Sequence, residues 1–278
     1  MTSNPKTATQ TDTAHLAFRD VSMAFGERQV FDSLSFSFPP GRISVILGGS
    51  GSGKSTALRL IGGLIQPLSG HIIVDGDDIT CLSERQMYRV RAKLGMLFQG
   101  GALLDWMSVY DNLAFPLRER RQLRADEIAE RVRATLSAVG LEDADDLLPS
   151  QLSGGMIKRA ALARAIIMRP LILLCDEPFS GLDPVSARRI EALLSEINQR
   201  FDITVVVVSH DIPSTMRMAS KVLLLLPDGA VEGTPAELHA SSDPRVASFL
   251  NPDLDAAALH EAGRVEALPS RVQTGTTW

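Results

Sequence analysis

Two rhythms of apolar residues run along this chain. Ile43–Leu47, Leu171–Cys175, Ile203–Val208 and Val222–Leu226 are short, nearly unbroken apolar runs. They have the length and density of parallel strands covered on both faces. Between and after them lie segments that read as helices: Lys54 to Leu64, closed by Gln66-Pro67, then about Gly155 to Met168, Pro184 to Arg200 and Ser214 to Ala219. Strand and helix in alternation predict an α/β core. Two regions break the rhythm. Leu16 to Pro39 alternates and is rich in Phe, Val and Ser, which predicts antiparallel strands; His71–Val74 with Asp75-Gly76 reads as a strand and turn. Arg118 to Gly140 is charged, with Ile128, Val132, Leu136 and Val139 on one helical stripe. It predicts a helix inside a mostly helical insert at about residues 93–170, a subdomain of a domain spanning 15–240. Residues 1–14, polar and without an apolar stretch, read as a disordered lead and not a signal peptide. Residues 241–278 read as a C-terminal extension, with a short helix at Pro244–Leu250 and an unstructured end carrying Trp278.

Composition narrows this picture. The 278 residues are 45% hydrophobic and carry a formal net charge of -5. A core is affordable, and no basic field points to nucleic acid. The apolar runs are strand-sized, whereas a membrane span needs about 20 residues. A soluble chain is therefore expected, with any membrane work done through a partner. Cys81 and Cys175 match no metal spacing, and Cys175 reads as core.

The chemistry lies where strands end. Gly48-Gly49-Ser50-Gly51-Ser52-Gly53-Lys54-Ser55 fits Gly-x4-Gly-Lys-Ser/Thr between a strand and a helix. Its glycines let backbone N–H groups converge on phosphate oxygens, and the helix beginning there adds its positive end. Lys54 supplies a cation to the β- and γ-phosphates, Ser55 a hydroxyl to Mg²⁺, and Thr56 closes the binding stretch. Asp176 and Glu177 end an apolar strand. Asp176 suits Mg²⁺, and Glu177 suits orienting or deprotonating a water. His210 and Gln99 end two further strands on the same edge, where each reaches the γ-phosphate, metal or water. His15, His71, His239 and His260 lack such context and read as surface residues. Ser153, Gly154 and Gly155 open the helix carrying Lys158, Arg159, Arg164 and Arg169, a second anion site about a hundred residues from Lys54. A head-to-tail pair of chains lets that tip cover the nucleotide of the other copy, with Asp183 on the seam. An ordinary helix cap is the simpler alternative for this turn.

With these residues in this order, the chain resembles the ATP-binding cassette ATPases over about residues 14–240. The resemblance implies a P-loop NTPase core with an antiparallel β subdomain and a helical insert, and an ATP sandwich of two copies. In it Phe25 stacks on adenine, and Ser153 and Gly155 contact the γ-phosphate held by the opposite subunit. Two positions depart from the family pattern: Met156 stands where Gln is usual, and Phe25 where Tyr is usual. Leu97–Leu104, Asp111–Leu117, Met156 and Asp243–Val246 are also similar to ATPases of Mla-type bacterial phospholipid transport systems, which maintain outer-membrane lipid asymmetry. That likeness implies a permease dimer, a periplasmic lipid-binding MCE-domain protein and a small STAS-domain protein as partners, with the ATPase at the cytoplasmic face of the inner membrane. Leu103, Leu104 and Trp106 suit a groove for a permease helix. The rivals are an ATPase of another MCE-linked or small-solute importer, and a soluble cassette protein without a permease.

Overall fold

A computed structural model describes residues 14–251. The lead before Ala14 and the end carrying Trp278 lie outside the described residues. Two sheets form the frame. In the first, β2 (Arg28–Phe38), β1 (Leu16–Phe25), β4 (Ser69–Val74) and β5 (Asp77–Asp78) pair antiparallel in that order. The second has six strands: β10 (Gly229–Gly233), β9 (Lys221–Leu226), β3 (Ile43–Gly48), β8 (Thr204–Ser209), β7 (Ile172–Asp176) and β6 (Leu94–Leu97). All its pairs are parallel except β10 with β9.

The unbroken apolar runs are explained by burial on both sides. Ile46, Ile172, Leu174, Val206 and Val208 pack toward the antiparallel sheet and α1 (Lys54–Ile61). Val45, Leu173, Cys175, Val205 and Val207 pack toward α5 (Gly154–Ile166) and α6 (Pro184–Phe201). The remaining helices in chain order are α2 (Glu84–Arg91), α3 (Val109–Arg120), α4 (Ala125–Ala138), α7 (Ile212–Met218), α8 (Pro235–His239) and α9 (Pro244–Leu250). Residues of α3, α4 and α5 build a separate apolar cluster in which the expected stripe Ile128, Val132, Leu136 and Val139 is buried. Helix α5 is apolar nearly all round because it serves two cores. Ala160 and Ala163 face the helical cluster, and Ala161, Leu162 and Ala165 face the sheet. Helix α9 sets Val246 and Leu250 against Leu47, Val222 and Leu224.

Several boundaries differ from the sequence reading. Helix α1 stops at Ile61, because Gly63 turns left-handed (φ 61°) and the Leu64 N–H reaches the Arg59 carbonyl. The helix expected over 118–140 is two helices, broken where Arg121 turns left-handed at φ 52°. The segment 93–170 includes β6, which pairs with β7 in the large sheet. His71 and His239 are exposed, but His15 is not a surface residue. Its ring lies 2.6 Å from Thr204 Oγ1 and 3.1 Å from Asp75 Oδ1, joining the two sheets. His260 falls outside the described residues.

The nucleotide cleft

The carboxyl ends of β3, β7 and β8 open beside the amino end of α1. Ligands gather at such strand ends in parallel sheets. Between β3 and α1, Gly53 sits at φ 99°, and a Cβ there would lie 2.6 Å from Val30 Cγ1 and 2.7 Å from Phe31 Cε1. Only glycine lets the loop press this closely on β2 while its N–H groups turn inward. Lys54, nearly buried, donates to the carbonyls of Gly48 (2.9 Å) and Gly49 (2.8 Å). Burial pushes its ammonium below the usual lysine range, and the Glu177 and Asp176 carboxylates oppose this.

Asp176 Oδ1 accepts a 3.2 Å hydrogen bond from Ser55 Oγ. Burial raises its pKa and the Ser55 bond lowers it, with the net upward. A half-buried carboxylate beside a hydroxyl is a hard-oxygen pair of the kind Mg²⁺ prefers, and a cation there would offset the desolvated charge. Glu177 follows in a left-handed conformation at φ 48°, a strain of about 1–3 kcal/mol in a non-glycine residue. Its N–H donates to the Val208 carbonyl (2.9 Å) and its carbonyl accepts from Ser180 N–H (3.2 Å), so the turn is held from both sides. Glu177 Oε2 lies 2.8 Å from His210 Nδ1. A carboxylate only accepts, so Nδ1 carries the proton and Nε2 is left for the cleft. The Gln99 amide donates to Ser180 Oγ at 3.5 Å, tying the end of β6 to the loop after Glu177.

One cavity of about 630 Å³ is lined by Phe25, Ser50, Gly51, Gly53, Lys54, Ser55, Thr56, Gln99, Glu177 and His210. Gly48, Ser52 and Asp176 do not line it; Gly48 and Asp176 instead bind the lining residues Lys54 and Ser55. Arg28 also lines the cavity, its Nη2 donating to the Gly51 carbonyl at 3.0 Å. The sequence reading missed Arg28; its signal was a cation two residues after Gly26.

Ser153, Gly154, Gly155 and Asp183 do not line this cavity. Ser153 caps α5 by accepting from the Met156 N–H at 3.3 Å. Asp183 caps α6 by accepting from the N–H groups of Val185 (2.9 Å) and Ser186 (3.0 Å). Three of the cations carried by α5 bind carbonyls of this same chain. Lys158 reaches those of Gln99 and Glu177, Arg159 those of Val139 and Gly140, and Arg164 that of Ala102.

A phosphate-wrapping loop, a paired hydroxyl and carboxylate, and a strained glutamate held by histidine give this molecule the site of a P-loop nucleoside triphosphatase. More narrowly, the chain belongs to the ABC transporter family, whose model matches residues 31–180. It is an ATP-binding ATPase subunit of that family. It is 47% identical over 234 residues to "Intermembrane phospholipid transport system ATP-binding protein MlaF" of Escherichia coli strain K12, covering 84% of this chain and 87% of the relative. It is 41% identical to "Probable ribonucleotide transport ATP-binding protein mkl" of Mycobacterium tuberculosis, covering 83% of this chain and 65% of that one. Among solved structures it resembles cbiO1 of Clostridium perfringens, described as part of the ABC transporter complex cbiONQ. That match has a TM-score of 0.77 and 29% identity, covering 90% of this chain and all of the other. It also resembles the dimeric post-hydrolysis cassette MJ0796 bound to ADP and Pi, with a TM-score of 0.72 and 29% identity, covering 79% and 98%.

Proposed function

We propose that two copies of this chain close head to tail over two ATP molecules, and that this closure powers phospholipid transport between the inner and outer membranes of a Gram-negative bacterium. The observation that carries the motor is the cleft, where Lys54 and Ser55 face Glu177 and His210 around one cavity. In this reading Phe25 stacks on adenine. Lys54 and the N–H groups from Gly48 to Thr56 neutralise the phosphate chain. Ser55, Asp176 and Gln99 hold Mg²⁺, which when bound supplies charge at the β- and γ-phosphates. Glu177 takes the proton of the attacking water while His210 fixes the carboxylate's direction. Ser153, Gly154 and Gly155 of the second copy complete the γ-phosphate site, and Asp183 lies on the seam. That these groups stay outside the cleft of their own chain supports a trans role, as does likeness to a cassette dimer.

The domain reading goes with it: a cassette over about 15–240 with a helical subdomain, and an extension from 241 whose helix α9 packs on the large sheet. No described helix is long and apolar enough to cross a membrane. Membrane work then falls to a permease dimer, with a periplasmic MCE-domain protein and a small STAS-domain protein, at the cytoplasmic face of the inner membrane. Trp106, 75% exposed beside Leu103 and Leu104, suits the permease contact. Likeness to the phospholipid-transport relatives supports this cargo; the mycobacterial relative, named for ribonucleotide transport, favours a ribonucleotide transporter as the second reading. Purifying the membrane complex and extracting its lipids separates them. Co-purified phospholipid, with ATP hydrolysis lost in Glu177→Gln, supports the first. A lipid-free complex stimulated by a ribonucleotide overturns it.

A further inference from the structure

Lys158 is a buried cation that the cleft chemistry leaves unused. It sits on α5, 7% exposed, in the turn after Ser153–Gly155. Its Nζ donates to the Gln99 carbonyl and lies 3.4 Å from the Glu177 carbonyl. Burying an ammonium is costly, and carbonyl partners offset the cost only while the geometry holds. The ammonium therefore favours one relative position of three backbone segments: the tip of α5, the Gln99 turn and the strained Glu177 turn.

The Gln99 segment is bound to α5 at its other end too. Arg164 donates to the Ala102 carbonyl, and Gly101 (φ 79°) lets the loop approach Ile157 and Ala161, where a Cβ would meet atoms at 3.2 and 3.4 Å. Helix α5 and residues 99–102 thus form one packed unit. From the same helix, Lys158 also reaches the Glu177 carbonyl. The Glu177 carbonyl accepts from the Ser180 N–H as well, so the ammonium acts on a peptide already strained.

We propose that Lys158 is a positioning residue that couples the α5 tip to Gln99 and Glu177, so that engagement of the tip by the second copy's nucleotide sets the hydrolytic geometry of its own cleft. The inference rests on the two-copy reading and adds communication between the sites. Lys158 does not line the cleft cavity. Its loss therefore acts on turnover and on cooperativity, with ATP affinity spared.

The test uses the full-length chain with Lys158→Met, which keeps length and burial, and Lys158→Arg, which keeps the cation. Mant-ATP binding is expected to stay within about twofold of wild type for both, while the Met variant's kcat falls about tenfold through lost alignment. Its Hill coefficient for ATP hydrolysis falls from about 2 toward 1, the limit for uncoupled sites. The Arg variant restores most of both. Wild-type kcat and Hill coefficient in Lys158→Met overturn the proposal. So does a loss of thermal stability and turnover with the Hill coefficient intact and no rescue by Arg. ATP-dependent dimerisation of Glu177→Gln, measured in parallel, reports on the two-copy reading separately.

Discussion

Asn112 offers the most quantitative probe of how the helical region presents its surface. It is fully buried on α3. Its Oδ1 accepts from the Leu104 N–H at 2.8 Å, and its amide donates to the carbonyls of Leu104 (3.1 Å), Met107 (3.1 Å) and Ser108 (3.0 Å). One side chain therefore replaces water for the whole turn that carries Trp106. In Asn112→Ala those bonds vanish and the Leu104 N–H loses its acceptor. Two net bonds at about 1 kcal/mol each, with about 1 kcal/mol more for the orphaned donor, give a loss of about 3 kcal/mol. For a domain of this size that is a fall in Tm of about 6–12 °C. Asn112→Asp keeps the acceptor but points a carboxylate at three carbonyls, so it is expected to be the worse of the two. Thermal unfolding of both variants, with hydrogen exchange at Leu104 and Met107, makes the measurement. A Tm within about 1 °C of wild type for Asn112→Ala, or an Asp variant no worse than Ala, refutes the reasoning.

Gly53→Ala forces a Cβ against Val30 and Phe31 at a φ that alanine resists; ATP affinity should drop more than about tenfold, and near-normal binding of mant-ATP would count against the loop geometry. Thiol labelling of the native chain should modify the exposed Cys81 and spare Cys175, whose thiol burial pushes far up, while denaturant exposes both; two rapid labels without denaturant would contradict the core assignment. The Lys93 hydrogen bond holds Asp75 below the usual carboxylate range. A depressed carboxylate adds stability above its unfolded pKa and loses it as pH falls through the folded value, so urea midpoints from about pH 7 to about pH 3 should decline less steeply in Lys93→Met. Parallel declines would remove that ion pair from the acid sensitivity.

The large sheet was readable because burial on both faces demands unbroken apolar runs, and Val205–Val208 has no other use. The cleft was readable for a related reason: the glycine loop, Glu177 and His210 each follow such a run, and Gln99 follows the shorter strand β6. What stayed hidden depends on backbone partners. Nothing in the sequence says that Arg121 turns left-handed and splits a helix, and the stop signal of Gly62-Gly63 was passed over in favour of Pro67. Asn112 and Lys158 bind carbonyls, which every residue owns, so no motif marks them. The same blindness hid what the cations of α5 do, since three of them brace carbonyls of their own chain. His15 was misread because its partners, Thr204 and Asp75, are far off in sequence and meet only when the two sheets stack.

Gly154 permits the most direct test of the central claim, that the α5 tip of one copy closes over the nucleotide of the other. A Cβ at Gly154 would meet nothing within 4 Å in the isolated chain. Asp at that position suits a first helical turn, so Gly154→Asp should fold and bind ATP normally. It would set a negative charge against the phosphate of a second copy. Molar mass by light scattering, with Mg-ATP in the Glu177→Gln background, should show a dimer that Gly154→Asp converts to monomer without loss of ATP affinity. A dimer that survives Gly154→Asp, or a Glu177→Gln chain that stays monomeric with ATP, would contradict the account.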